Sequence, residues 1–112
     1  MEDDVLYLYN TSGDWIAFKI DKNLFNTDGE WIGWFPWENN VAVTTDGDYL
    51  GTICHNNRLV RLYNQSPLPY PGYPGYPGYP GYPGYPGFAG YLYIPGSTDV
   101  PETLLERGGK IV

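Results

Sequence analysis

The sequence contains few of the residues on which redox, metal and nucleic-acid chemistry depend. Among its 112 residues there is one cysteine, Cys54, and one histidine, His55, so a disulfide within the chain is excluded. Lys and Arg together number 6 against 13 Asp and Glu, and the formal net charge is -7. Nucleic acids and anionic membranes are bound by clustered basic side chains, whereas these are scattered. The sequence therefore predicts no nucleic-acid partner and no membrane partner.

Long apolar runs and targeting patterns are also lacking. No stretch approaches the roughly 20 apolar residues that a membrane-spanning helix needs. Residues 1–4 read MEDD, without the basic-then-apolar order of a secretion signal. No glycine-rich loop has the pattern that binds a phosphate group. These absences predict a cytoplasmic protein that uses no cofactor.

Aromatic residues, in contrast, are abundant. They make up 18% of the chain, with 12 Tyr and 4 Trp. Aromatic and β-branched residues favour the half-buried surface of a pleated sheet. Since 112 residues are about the length of one domain, the composition predicts a single, mainly β domain.

An internal repeat organises the first half of the chain. Three ten-residue segments align on a central glycine: LYNTSGDWIA (8–17), LFNTDGEWIG (24–33) and AVTTDGDYLG (42–51). The glycines are 16 and 18 residues apart. The shared order is an aliphatic residue, an aromatic or Val, Asn or Thr, two polar residues, Gly, an acid, an aromatic, an aliphatic residue and a small residue.

Each repeat has the chemistry of a β-hairpin. An Asn side chain can accept a hydrogen bond from the backbone two residues later, and a type I turn leaves the next residue in the left-handed region that suits glycine. The flanking residues are short runs of strand formers. The last position of the repeat holds only Ala17, Gly33 or Gly51, which predicts a close approach of another backbone segment.

A fourth copy begins at Leu62 and then departs from the pattern. Leu-Tyr-Asn at 62–64 matches the start of the first repeat, but no turn glycine follows. A long insertion at 65–87 replaces the turn, and residues 88–95 read as the returning strand. The predicted hairpins are 5–20, 22–36, 40–54, and 58–64 with 88–95.

The repeat resembles the 4-fold beta flower domain family of bacteria. The resemblance rests on Leu-Tyr-Asn at 8–10, the three turn glycines, and Gly-Trp-Phe at 33–35, and it covers about 5–64 and 88–95. Repeat three departs from it because its Ala-Val-Thr lacks the aromatic residue. The resemblance implies an all-β fold of about four hairpins around a pseudo-four-fold axis, and it implies no activity.

The insertion contains a three-residue repeat, here termed the tract (residues 71–88). Pro-Gly-Tyr occurs five times and the last triplet is Pro-Gly-Phe. One interpretation is a flexible loop that turns at each Pro-Gly. A second is a polyproline or collagen-like rod, although a straight rod conflicts with a closed hairpin. A third is an interaction element, with its tyrosines aligned against an aromatic surface of the same chain, of a second copy or of a partner.

The C-terminal segment 98–107 predicts one short α-helix. Asp99 is placed as the N-cap, Pro101 lies in the first turn and Glu102 completes a capping box. Gly108 and Gly109 end the helix. Leu104 and Leu105 are predicted to pack against the sheet.

The candidate binding residues are aromatic. Trp34 and Trp37 belong to an aromatic cluster at 31–37 in which both strand faces are apolar, so one aromatic set is predicted to be exposed. Exposed aromatic rings can stack on sugars or on proline-rich segments. The other candidates are the five tyrosines of the tract: Tyr73, Tyr76, Tyr79, Tyr82 and Tyr85.

Catalytic and metal sites are not predicted. Cys54 and His55 are adjacent, and neighbouring side chains on a strand point to opposite faces, which predicts that the two do not meet as a nucleophile and base pair. The turn carboxylates could bind Ca²⁺ if the hairpin tips converged. Splayed hairpins separate them, no turn has the spacing of a calcium loop, and turn chemistry alone explains Asp and Gly here.

The sequence thus predicts a non-enzymatic structural or interaction module. Its tract is expected to pack on an aromatic surface of itself, of a second copy in a homo-oligomer, or of another protein. The alternative is a module that binds carbohydrate or another small ligand through exposed Trp and Tyr side chains. An enzyme acting through Cys54 and His55 ranks third.

Overall fold

Strands form where short runs of aromatic and aliphatic residues lie between polar turns. The structure, a computed structural model, describes residues 5–37 and 39–106. The strands in this part of the chain are β1 (Leu6–Tyr9), β2 (Trp15–Ile20), β3 (Asn23–Asn26), β4 (Trp31–Trp34), β5 (Val41–Thr44), β6 (Tyr49–Cys54), β7 (Arg58–Leu62) and β8 (Ser97–Asp99). A 3₁₀ turn (His55–Asn57) lies between β6 and β7, and a short helix, α1 (Glu102–Leu105), follows β8.

Strands that are consecutive in the chain are also neighbours in the sheet. Each strand from β1 to β8 pairs antiparallel with the next one. The sheet closes because Tyr9 in β1 also pairs in parallel with Arg58 in β7. Strands β1–β7 therefore form a closed barrel, and β8 pairs with the far end of β7 at Val60–Leu62. The predicted fold class, mainly β hairpins with one short helix, is confirmed.

The predicted bond, from the backbone N–H two residues later to the side-chain oxygen of the turn's first residue, is present in the second and third hairpin turns. All three turns are closed by further hydrogen bonds. The turns are termed turn 1 (10–14), turn 2 (26–30) and turn 3 (44–48). In each, the glycine N–H donates to the carbonyl of the turn's first residue at 2.9 to 3.1 Å. The first residue's side-chain oxygen accepts the N–H of the fifth at 2.9 to 3.1 Å. The glycines have φ values of 84° to 95°, in the left-handed region that glycine adopts without strain.

The barrel interior is filled by aliphatic residues from successive strands. Buried members of the core include Leu8, Leu24, Ile32, Ala42, Leu50 and Leu59. The small residue that ends the second and the third repeat meets a neighbouring backbone, as predicted. A Cβ on Gly33 would overlap the Val43 carbonyl oxygen, and one on Gly51 would lie 3.1 Å from the Val60 carbonyl oxygen.

Arg58 reinforces the closure of the barrel. The residue is buried, and its guanidinium donates to three backbone carbonyls: Asn56 at 3.2 Å, Asn10 at 3.2 Å and Ala89 at 3.3 Å. These acceptors belong to the β6–β7 connection, to turn 1 and to the segment after the tract. One side chain thus connects the first hairpin, the last hairpin and the insertion.

The fourth hairpin differs from the predicted one. Its returning strand is β8 (Ser97–Asp99), where Leu62 pairs with Ser97 and Val60 with Asp99. Residues 88–95, predicted to be this strand, do not pair with β7. Their backbone is hydrogen-bonded to turn 1 instead, since Ala89 N–H donates to Gly13 O at 2.9 Å and Leu92 N–H to Thr11 O at 2.8 Å. The insertion is therefore longer than 65–87 and ends just before β8.

The C-terminal helix is shorter than the predicted 98–107. It spans Glu102–Leu105 and has no side-chain cap. Asp99 does not act as the N-cap, because it lies in β8 and its carboxylate accepts the Thr11 N–H at 2.9 Å and the Thr11 hydroxyl at 3.0 Å. Leu104 and Leu105 pack against the core, and residue 107 lies outside the described residues.

No helix within 5–37 and 39–106 has both the length and the apolar character that crossing a bilayer requires.

Candidate functional site

The tract lies across the hairpin turns of its own barrel. The insertion that contains it passes the three turns in the reverse of their order in the chain. The neighbours, taken along the insertion, are Pro71 with Gly47 in turn 3, Tyr79 with Gly29 in turn 2, and Gly90 with Gly13 in turn 1. A Cβ on Gly29 would lie 2.6 Å from Cε1 of Tyr79. Turn 2 therefore requires glycine at position 29 for two reasons. The backbone there has a positive φ, and the Tyr79 ring occupies the space that a side chain would need.

Two tryptophans of the barrel hold the tract, and each is in contact with the tyrosines of two successive triplets. Ring centroids are 5.7 to 6.0 Å apart and the planes are inclined by 56° to 60°. The Trp31–Tyr73 pair is edge-to-face, an arrangement that aromatic pairs favour, and the other three pairs are tilted. The pairs are Trp31 with Tyr73 and Tyr76, and Trp15 with Tyr82 and Tyr85. Trp15 and Trp31 are termed the seats of the tract.

The tract backbone contributes little to its own attachment. No backbone hydrogen bond joins residues within the tract, and the tract contains no turn or strand. The tract backbone does accept one bond from the barrel, where the Tyr7 hydroxyl donates to the Pro83 carbonyl at 3.0 Å. Attachment therefore depends mainly on side chains of the barrel.

The tract is not a polyproline or collagen-like helix. Its glycines, from Gly72 to Gly87, have φ values between 78° and 102°. Polyproline and collagen require φ near −75°. The rod interpretation is wrong because glycine alone among the three residues of the triplet can take positive φ, and here it does so in every triplet. The chain can thereby remain extended while it follows the barrel.

The outer side of the tract is an exposed aromatic surface. Its five tyrosines each expose 59% to 66% of their area, although each also contacts the barrel. Tyr70, just before the tract, is 89% exposed, and Phe88 is 66% exposed. No Asp, Glu, Lys or Arg occurs between 62 and 98. The surface is therefore aromatic and uncharged.

Among the described residues, no ring contact joins either of the two predicted tryptophans to a tract tyrosine. Trp34 is 9% exposed and its indole Nε1 is buried without a hydrogen-bond partner. Trp37 is partly buried. The tyrosines meet Trp15 and Trp31 instead, which share one position of the repeat directly after the acid. This shared position in the repeat is the feature of the sequence from which Trp15 and Trp31 could have been predicted as the contacts of the tract.

Cys54 and His55 lie in different surroundings. Cys54 is partly buried at the end of β6, and burial raises the pKa of its thiol. A raised pKa lowers the fraction of reactive thiolate at neutral pH. His55 is exposed in the following 3₁₀ turn. Within the described residues, no group of three or more His, Cys, Asp or Glu side chains could hold a metal ion.

Comparison with known proteins identifies one family. A family model described as 4-fold beta flower protein matches residues 1–89. The match covers the first three hairpins, β7 and the whole tract. No curated protein and no solved structure shows significant similarity to the chain.

Proposed function

The chain belongs to the 4-fold beta flower family, a family of small β domains of unknown function, and from its surface we propose that it is a non-enzymatic interaction module. In this proposal the barrel is a rigid support, and the tract is a row of tyrosines held ready for contact with another protein molecule, including a second copy. The observation that carries the proposal is that every tract tyrosine is anchored on the barrel yet more than half exposed.

The chemistry of the exposed surface supports a protein partner. Tyrosine offers a large, rigid and amphipathic contact area at low entropic cost, and it is enriched in binding surfaces for this reason. Contiguous exposed aromatic side chains on a soluble domain typically mark a binding site. The surface has no charge of its own, so a partly apolar partner surface fits it best.

Anchoring adds to this support. A disordered tyrosine-rich loop would lose conformational entropy when it bound a partner. Trp15, Trp31 and the Tyr7 hydroxyl already restrict the tract in the free protein. A tract that is ordered before binding needs less of the interaction free energy for ordering.

The proposal is tested by site-specific photo-crosslinking in cells that express the full chain. A photoreactive residue replaces Tyr70 or Phe88 in two separate variants, and Thr103, exposed on α1, carries it in the control. The expected result is a discrete crosslinked product from positions 70 and 88, lost when the five tract tyrosines are changed to Ser. Equal products from position 103, or none from positions 70 and 88, would contradict the proposal.

A further inference from the structure

The repeat creates three equivalent aromatic positions, and the tract fills only two of them. Each lies in the strand after a turn, opposite a residue of the preceding strand and at a shift in pairing register. The pairs are Trp15 with Tyr9, Trp31 with Phe25, and Tyr49 with Val43. Trp15 and Trp31 contact tract tyrosines, whereas among the described residues no tyrosine ring stacks on Tyr49.

The spacing of the tract explains why the third position is left open. Moving from the Trp15 seat back to the Trp31 seat shifts the contacting tyrosines from 82 and 85 to 73 and 76. The same step again leads to positions 64 and 67, which are Asn64 and Pro67. The nearest tyrosine in the insertion, Tyr70, comes three residues too late. It is 89% exposed.

The third position is a pocket suited to a tyrosine. It has a volume of about 340 Å³ and is lined by Tyr49, Arg61, Leu62, Tyr63, Gln65 and Thr98. The guanidinium of Arg61 lies 5.2 Å from the centroid of the Tyr49 ring. Its Nη2 donates to the Tyr49 carbonyl at 3.3 Å, while its Nε is buried and lacks a hydrogen-bond partner. The pocket thus offers an aromatic wall and a cation that can face a second ring.

We propose that this pocket is a third tyrosine seat and that it is filled by Tyr70 of a second copy of the chain. The inference rests on the proposed function, in which exposed tyrosines contact another protein molecule. Pro71 lies beside Gly47 in turn 3, and turn 3 leads directly into Tyr49. Tyr70 and the pocket are therefore on the same side of the molecule. Two copies can exchange Tyr70 reciprocally about a two-fold axis, the commonest symmetry of protein dimers.

Sedimentation analysis over a concentration series tests the donor. The wild-type chain is expected to dimerise, and Tyr70→Ser to raise the dissociation constant by about tenfold or more, as expected for an aromatic anchor. Tyr91→Ser is the matched control, because Tyr91 is 72% exposed and lies outside the proposed contact. A wild-type chain that remains monomeric at millimolar concentration, or equal effects of the two substitutions, would overturn the proposal.

A mixing experiment tests the pocket. Thr98 is exposed in β8 and lines the pocket, so Thr98→Trp blocks the seat and retains the donor. Tyr70→Ser, which keeps the pocket but lacks the donor, and Thr98→Trp are each expected to dimerise weakly when alone. Their mixture retains one of the two contacts, and it is expected to form a heterodimer tighter than either homodimer; no gain on mixing would refute reciprocal exchange. If mixing gives no gain but crosslinking from position 88 persists in Thr98→Trp, the third tyrosine seat is rejected and the proposed function is retained.

Discussion

The barrel and the tract are both built by repetition, but different forces hold them. The barrel repeats every 16 to 18 residues, and its copies are joined by backbone pairing and buried aliphatic side chains. The tract repeats every three residues and is held largely by ring contacts with two tryptophans. The barrel is therefore expected to be stable without the tract, whereas the position of the tract depends on the barrel.

The largest effect is expected where the barrel core is emptied. Leu24 is fully buried, and Leu24→Ala should lower the free energy of unfolding by about 2–5 kcal/mol, the usual cost of a buried Leu→Ala cavity. Urea unfolding followed by circular dichroism measures the change. Thr103→Ala on the exposed face of α1 is the control and should change stability by less than about 0.5 kcal/mol. A small effect of Leu24→Ala would show that the barrel interior is not the source of stability.

The next largest effect is expected from adding one methyl group to a turn glycine, which distinguishes strain in the turn itself from a collision with the tract. Gly29→Ala and Gly47→Ala both place Ala at positive φ, which costs about 1–2 kcal/mol. Only at Gly29 does the new Cβ also collide with Tyr79, at 2.6 Å; at Gly47 the nearest atom, in Pro71, is 3.4 Å away. Gly29→Ala should therefore be the more destabilising of the two in urea unfolding, unless the tract is free to move away.

A smaller effect is expected where one seat is removed. Trp31→Ala eliminates two ring contacts, each worth about 0.5–1.5 kcal/mol beyond burial. With fluorotyrosine incorporated, ¹⁹F NMR should show shifts for Tyr73 and Tyr76 and nearly unchanged signals for Tyr82 and Tyr85. Trp15→Ala should give the opposite pattern. Simultaneous loss of all four signals in either variant would show that the tract is released as one unit.

The smallest effect is expected from one hydroxyl. Tyr7→Phe removes the hydrogen bond to the Pro83 carbonyl and keeps the ring that packs on Trp15 at 5.8 Å. The expected loss is about 0.5–1.5 kcal/mol, seen as a slightly lower melting temperature. In a variant whose tract is replaced by a short Gly-rich loop, the same substitution should have no effect, because its acceptor is gone.

The hairpins were predictable from the sequence because their causes are local. Asn or Thr, followed three residues later by Gly, specifies the turn within a few residues, and the structure has these bonds at all three turns. The closure between Tyr9 and Arg58 depends on residues far apart in the chain. Strand β8 was missed because Ser97–Asp99 is polar and short, so its pairing with β7 has no sign in its own composition.

The candidate surface was only partly predictable. The tyrosines are evident from the tract, but the density of aromatic residues at 31–37 favours Trp34 and Trp37 as their partners. Trp34 is 9% exposed, whereas Trp31 meets Tyr73 and Tyr76 of the tract. Which tryptophan the tract covers depends on the path of an insertion that comes much later in the chain, so the local sequence around 31–37 does not reveal it.

The reversed path of the tract across the turns has a consequence for how the molecule is assembled. Turn 1 is the first turn to be synthesised and the last to be covered by the insertion. The Tyr7 hydroxyl can form its hydrogen bond only after Pro83, 76 residues further on, has been added. Contacts of such long sequence separation form late, because the intervening chain must first be ordered. A nascent chain thus presents three uncovered glycine turns to its surroundings until the insertion has been synthesised.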